Sequence, residues 1–229
     1  MISVIIPTLN AEKTLARTLE ALVPAAVDGI IREAIVVDGG SSDRTAAIAD
    51  SAGADLVHSD GGRGLQLAAG AAQARFPWLL FLHADTMLAA GWEREASQFM
   101  ERVDSGASPI AAAAFRFALD DRGLRPRLLE WLVALRCGVL RLPYGDQGLL
   151  TSRRLYDEVG GYRPLPLMED VDLVGRLGRR RVVMLQARAV TSAERFRRDG
   201  YVQRSARNLL CLMLYTAGVP VRVIRRIYG

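Results

Sequence analysis

The chain has 229 residues, 50% of them hydrophobic and 24% charged, with a mean hydropathy of +0.13. That length can bury a core without disulfides or metals, and the composition excludes a disordered, collagen-like or disulfide-framework protein. The formal charge of +5 rests almost wholly on arginine, since Lys13 is the sole lysine among 30 basic residues. Arginine's planar fork suits bidentate phosphate recognition, so phosphorylated ligands or an anionic membrane surface fit this composition. Nucleic acid does not fit. No zinc-finger spacing appears, and the aromatic residues are not interleaved with a basic strip. Cys137 and Cys211 each lie in an apolar run, which reads as two buried, reduced thiols in a cytoplasmic protein. Met1 to Pro7 lacks a basic leader, and Leu209 to Val219 is too short to span a bilayer, so neither a signal peptide nor a transmembrane helix is expected.

Short β-branched runs alternate with helical patterns over the first hundred residues, the signature of βαβ units and a parallel sheet. Strands are expected at Ile2 to Ile6, Ala34 to Asp38, Asp55 to His58 and Trp78 to His83. Between them fall helices at Ala11 to Leu22, capped by Asn10, at Asp43 to Ser51 and at Gly64 to Arg75, and a helix at Trp92 to Val103 closes this half. Ala111 to Leu119 reads as a strand, Pro126 to Leu140 as an apolar helix, Gly145-Asp146-Gln147-Gly148 as a turn and Arg153 to Val159 as a helix. A proline-marked loop from Pro164 feeds a helix over Val171 to Leu177, followed by strands at Val182 to Leu185 and Ala187 to Val190. The tail, Ala193 to Tyr228, is helical with a break at Gly218-Val219-Pro220. No repeat or low-complexity linker divides the chain, so residues 1–229 are expected to form one domain with parts at 1–104, 105–200 and 201–229.

Ligands of open parallel sheets gather beyond the carboxyl ends of the strands. Three such ends carry polar chemistry: Pro7-Thr8-Leu9-Asn10, Asp38-Gly39-Gly40-Ser41-Ser42-Asp43 and His83-Ala84-Asp85. Each alone is an ordinary cap or turn, but together they predict one crevice. A dinucleotide-binding G-x-G-x-x-G turn is absent after the first strand, and Gly62-Arg63-Gly64 lacks the third glycine because position 67 is leucine. No Walker A sequence is present.

Val4-Ile5-Ile6-Pro7-Thr8-Leu9-Asn10, Val36 through Thr45, Phe81-Leu82-His83-Ala84-Asp85 and Met168-Glu169-Asp170, in that order, resemble a family 2 glycosyltransferase. The resemblance runs from Ile2 to about Tyr201, and more loosely into the tail, which is similar to the ending of a small bacterial subgroup. It implies an α/β GT-A fold, a Rossmann-like, mostly parallel sheet flanked by helices with a helical C-terminal tail. It also implies an inverting transfer of a hexose from a nucleotide-diphosphate sugar, UDP-sugar favoured, to a hydroxyl of a sugar, lipid or small-molecule acceptor. On this basis residues 1–104 hold the nucleotide and 105–200 the acceptor.

The same resemblance places Pro7, Thr8, Asn10 and Glu12 beside the base and ribose, has Asp38 accept hydrogen bonds from the base, and sets Arg63 and Gly64 on the phosphate side, near His83 and Ala84. Asp85 matches the last carboxylate of the family's D-x-D motif and would hold Mn²⁺ or Mg²⁺, a hard cation that takes one or two carboxylates plus substrate phosphates. His83 departs from the motif's first aspartate; an imidazole there would donate to a ribose hydroxyl, ligate the metal if neutral, or pack as a polar residue at the strand end. Asp170, with Glu169 beside it, matches the catalytic carboxylate that takes the acceptor's proton. Gly145, Asp146 and Gln147 resemble the acceptor-side segment. Arg195, Arg197 and Arg198 follow the last strand as candidate diphosphate donors, whereas Arg179-Arg180-Arg181 reads as a solvated turn. Amphipathic stretches at Arg127 to Arg141 and Arg204 to Tyr215 suit core packing, a homodimer interface or peripheral contact with the inner face of the cell membrane. Two other classes share the pattern: a sugar-nucleotide binding protein without turnover, and a nucleotidyltransferase, which the missing lysine-containing N-terminal loop disfavours.

Overall fold

The computed structural model describes residues 1–228. Strand β1 (Ile2–Thr8) is followed by α1 (Leu15–Glu20), α2 (Val23–Val27), β2 (Ile31–Asp38), α3 (Thr45–Ser51), β3 (Asp55–His58), α4 (Arg63–Gln73) and β4 (Trp78–Phe81). Then come β5 (Thr86–Leu88), α5 (Trp92–Asp104), β6 (Ala112–Leu119), α6 (Leu124–Leu140), β7 (Leu149–Ser152), α7 (Arg153–Glu158) and α8 (Glu169–Leu177). Strand β8 (Val182–Thr191) leads into α9 (Glu194–Asp199), α10 (Tyr201–Thr216) and α11 (Val221–Tyr228). The eight strands form one sheet in the order β3-β2-β1-β4-β7-β6-β8-β5. The β3-β2-β1-β4 half is parallel, β7 runs antiparallel to both β4 and β6, and β8 pairs parallel with β6 and antiparallel with β5.

All seven residues of β1 are buried because helices cover both faces of the sheet. The two-residue period sends Ile2, Val4 and Ile6 into one core layer with Trp78, Leu80, Trp92 and Phe99, and Ile5 into the other with Val37, Leu79, Leu155 and Leu173. Helix α4 lies tight on the second face: a Cβ at Gly70 would stand 2.4 Å from Ile5 Cγ2. That close approach sets the height of the α4 N-terminus above the strand ends. Among the described residues no helix is long and apolar enough to cross a membrane.

Several expected boundaries move. The first helix begins at Leu15, and Asn10 does not cap it: with φ 51°, its side-chain carbonyl accepts from Ser42 N at 3.0 Å. Strands β5 and β7, of three and four residues, are additional to the expected elements. The two strands expected over Val182 to Val190 are one, because a register shift opposite β6 between Ala114 and Arg116 absorbs the irregular middle. Helix α8 starts at Glu169, two residues early, which puts both acids in its first turn, where the helix dipole favours them.

Candidate active site

The ends of β1 and β2 are stitched into one rim. Asp38, at the end of β2, is 3% exposed and accepts from Thr8 Oγ1 (3.2 Å), Gly40 N (3.1 Å), Ser41 N (2.8 Å) and Ser41 Oγ (2.5 Å). Burial works against its charge, but these donors outweigh it and hold the carboxyl below its usual range. Asn10 N donates to Ser41 Oγ at 2.8 Å and Glu12 N to Asp43 Oδ2 at 3.0 Å, while Glu12 Oε2 accepts from Arg44 N at 3.2 Å. Gln66, from α4, completes the rim by donating to the Thr8 carbonyl at 2.7 Å and the Val37 carbonyl at 2.9 Å.

On the other side, α8 presents Asp170, whose Oδ2 accepts from Gly145 N at 2.7 Å and Oδ1 from Val171 N at 2.8 Å. Only glycine fits at 145, since a Cβ there would meet His83 Nε2 at 2.6 Å and Asp170 Oδ2 at 3.3 Å. His83 and Asp170 thus face one another across the Gly145 backbone. Burial drives the His83 pKa well below its usual value, and Arg63 and Arg195 push the same way, so the ring is neutral near pH 7. Burial lifts the Asp146 carboxyl to about 6; Arg136 opposes the shift, and Asp170 and Asp85 reinforce it.

Two cavities adjoin. The outer cleft, of about 820 Å³, is lined by Pro7, Thr8, Asn10, Glu12, Ala84 and Pro166 among others, with Arg225 reaching in from α11. The inner pocket, of about 110 Å³, is walled by Tyr144, Asp146, Asp170, Arg204, Asn208 and Tyr228. Arg63, His83, Asp85, Ser192 and Arg195 line both and mark the junction.

Other expected site residues lie elsewhere. Gly64 does not face the cleft: its N–H donates to the Leu165 carbonyl at 3.2 Å, and a Cβ would meet the Arg163 carbonyl oxygen at 2.3 Å, so it is a packing glycine. Gln147 is buried in a structural role. Its Oε1 accepts from Arg136 Nη2 (3.2 Å) and Tyr144 N (3.2 Å), and its Nε2 donates to the Phe115 carbonyl at 3.0 Å. Of the three arginines after β8 only Arg195 reaches the junction, because Arg197 lies beside Asp120 and Asp121 and Arg198 pairs with Asp199. Glu169 is fully buried and bonded to Arg63 Nε, so it positions Arg63 rather than touching a ligand. Arg204, Asn208, Arg225 and Tyr228, which the sequence did not single out, come from helices whose docking no local pattern announces.

The donor set at the junction fits a divalent cation. Asp85, Asp146 and Asp170 all face the inner pocket, and Asp146 Oδ1 is buried with no hydrogen-bond partner among the described residues. Among the described residues no three His, Cys, Asp or Glu side chains gather tightly enough to hold a metal ion by themselves. A cation held by Asp85 would therefore complete its shell with phosphate and water oxygens, as Mg²⁺ and Mn²⁺ commonly do.

The family model of glycosyl transferase family 2 matches residues 3–155. The chain belongs to this family. A curated relative, the PGL/p-HBAD biosynthesis glycosyltransferase of Mycobacterium tuberculosis, is 39% identical over 101 residues, 38% of this chain and 36% of that protein. The match thus spans about a third of the curated relatives' length. Glucosyl-3-phosphoglycerate synthase from M. tuberculosis, solved with Mn²⁺, UDP and glucosyl-3-phosphoglycerate, superposes with a TM-score of 0.62 at 22% identity, covering 96% of this chain and 81% of that one. Residues 1–349 of S. aureus TarS give a TM-score of 0.64 at 17% identity, covering 99% and 69%. The glycosyltransferase thus has the GT-A fold. Its outer cleft lies within the matched residues except for the part supplied by Pro166, Ser192, Glu194, Arg195 and Arg225.

Proposed function

We propose that this glycosyltransferase is an inverting, metal-dependent hexosyltransferase that moves a sugar from a nucleotide-diphosphate donor, UDP-sugar favoured, to a hydroxyl of a sugar, lipid or small-molecule acceptor. Asp170 is its general base. The observation that carries this reading is the meeting of Asp85, from the nucleotide half, and Asp170, from α8, at one pocket that opens into the strand-end cleft.

The outer cleft has room for a nucleoside diphosphate along the Thr8–Asp38 rim. Arg63 and Arg195 then meet the phosphates at the junction, and Glu169 fixes the Arg63 guanidinium in place. A cation at Asp85 would neutralise charge on the departing diphosphate. The acceptor occupies the inner pocket, so its hydroxyl approaches the anomeric carbon from the side opposite the phosphates. Asp170 takes the hydroxyl proton as the new bond forms and the diphosphate leaves with its electron pair, which inverts the anomeric centre. Bonds from Gly145 N and Val171 N aim the carboxylate. His83, held neutral, adds no charge beside Arg63 and Arg195 and is free to donate or to accept. The synthase neighbour, solved with Mn²⁺ and UDP-glucose, supports the choice of metal and of a uridine nucleotide.

The test is calorimetric titration with UDP, GDP, TDP and CDP, with and without Mn²⁺, on the wild type, Asp85→Ala and Asp170→Asn. UDP is expected to bind with Mn²⁺, Asp85→Ala to abolish the metal dependence, and Asp170→Asn to bind normally while UDP release from a UDP-sugar falls by about 10²–10⁴. A folded protein that binds none of the four, or binds one with no effect of Mn²⁺ or Asp85→Ala, refutes the reading.

A further inference from the structure

Helix α6 is apolar on two sides. Leu129 and Val133 pack inward on Phe117, Leu119 and Ala193. The opposite side carries Leu124, Leu128, Trp131, Leu132, Leu135 and Val139, between 47 and 89% exposed, at spacings of four, three, one, three and four residues that make one continuous stripe. Helix α10, which touches α6, repeats that spacing with exposed Val202, Ala206, Leu209, Leu210 and Met213. Water-facing helices do not keep such stripes, and an apolar area of this kind marks an interaction surface.

The charge around the stripes names the partner. Residues 122–141 and 201–216 hold seven arginines and a single acid, Glu130, whereas the rest of the chain has twenty-three basic residues against twenty-four acidic ones. The basic surplus is therefore confined to the segments that expose the apolar stripes. A two-fold contact between copies would set these arginines against each other with almost no acid to balance them. Lipid phosphates supply the missing charge, and arginine stems can lie along the apolar face while their heads reach the headgroups.

We propose that the outer faces of α6 and α10 form a docking surface for an anionic lipid bilayer, lying in the interface and not crossing it. This surface stands independently of the transfer reading, because it rests on apolar exposure and charge placement. It nonetheless adjoins the site. Arg136 of α6 stacks at 3.5 Å over Tyr144, which lines the inner pocket together with Arg204 and Asn208 of α10.

Trp131 is 60% exposed, whereas Trp78 and Trp92 are 1% exposed, so a change of tryptophan emission on binding reports on α6. The whole chain is mixed with vesicles of phosphatidylcholine alone or of equal parts phosphatidylcholine and phosphatidylglycerol. Co-sedimentation and a blue shift of Trp131 are expected with the anionic vesicles only, both weakening as salt rises. Leu128→Ser with Leu135→Ser keeps every arginine and Trp131 and is expected to weaken binding about tenfold or more. Arg122→Gln with Arg125→Gln, two exposed positions at the start of α6, is expected to weaken it severalfold. Absence of binding at low salt overturns the proposal, as does equal binding to both vesicles, wild-type binding by either variant pair, or a dimer in light scattering that already shields Trp131.

Discussion

Asp146 offers a test of the site's electrostatics that needs neither donor nor acceptor. Its carboxyl titrates near 6 in the fold against 3.8 for the ordinary value, with burial the main cause and Asp170 and Asp85 adding to it against Arg136. The folded state therefore holds a proton between those two values that the unfolded chain has lost, so this group's contribution to stability falls as pH rises from 3.8 to 6 and is constant above that. Asp146→Asn removes the charge at nearly the same shape, and its amide can donate toward the neighbouring carboxylates. Linkage puts the gain at about 1 kcal/mol at pH 4.5, rising to about 3 kcal/mol at pH 7, as a ceiling. For a chain of this size that is an increase in Tm of about 6–12 °C at pH 7, at about 2–4 °C per kcal/mol. Thermal melts of both proteins at half-unit steps from pH 4.5 to 8 check it. A gain that does not grow with pH, or a loss of stability at pH 7, refutes the account of Asp146 as a charge held at a folding cost.

Three further outcomes follow from the packing around the cleft. Glu169→Gln leaves Arg63 without its buried counter-charge and is expected to lower stability by about 3 kcal/mol in urea melts; an unchanged midpoint would mean the pair is not formed. Gly64→Ala drives a methyl into the Arg163 and Leu165 carbonyls and is expected to cost about 1–3 kcal/mol, whereas Gly138→Ala, which meets open space, should not destabilise. Arg225→Ala is expected to weaken diphosphate binding about fivefold by calorimetry, with Arg222→Ala, outside the cleft lining, as the unaffected control.

The parallel half of the sheet was legible because its strands are short apolar runs separated by amphipathic helices, and the three polar strand ends follow directly from where those runs stop. Asp85 and Asp170 were matched through the family resemblance; in the fold Asp85 stands just before β5 and Asp170 in the first turn of α8, and both line the inner pocket. What the sequence hid depends on contacts across the chain. Glycine at 64 and 145 looks alike in sequence, yet one packs against two carbonyls and the other makes room for His83 beside Asp170. Glu169 and Asp170 are adjacent acids, and only the fold sends one into an ion pair with Arg63 and the other toward the pocket. Strands β5 and β7 are defined by their pairing, β5 with β8 and β7 with β4 and β6. Arg204 and Tyr228 have no local signature, because their place is set by how α10 and α11 dock.

That docking divides the site into parts under different structural constraint. The cleft rim is locked by side-chain hydrogen bonds among strand ends, so a substitution at Thr8, Asp38 or Ser41 disturbs several partners at once. The far wall of the inner pocket rests on two helices joined through Gly218-Val219-Pro220, where side chains such as Asn208 can be exchanged without breaking a strand pairing. The architecture thus lets one wall of the small chamber vary at little structural cost, while the rim of the large one cannot exchange a residue without breaking several bonds at once.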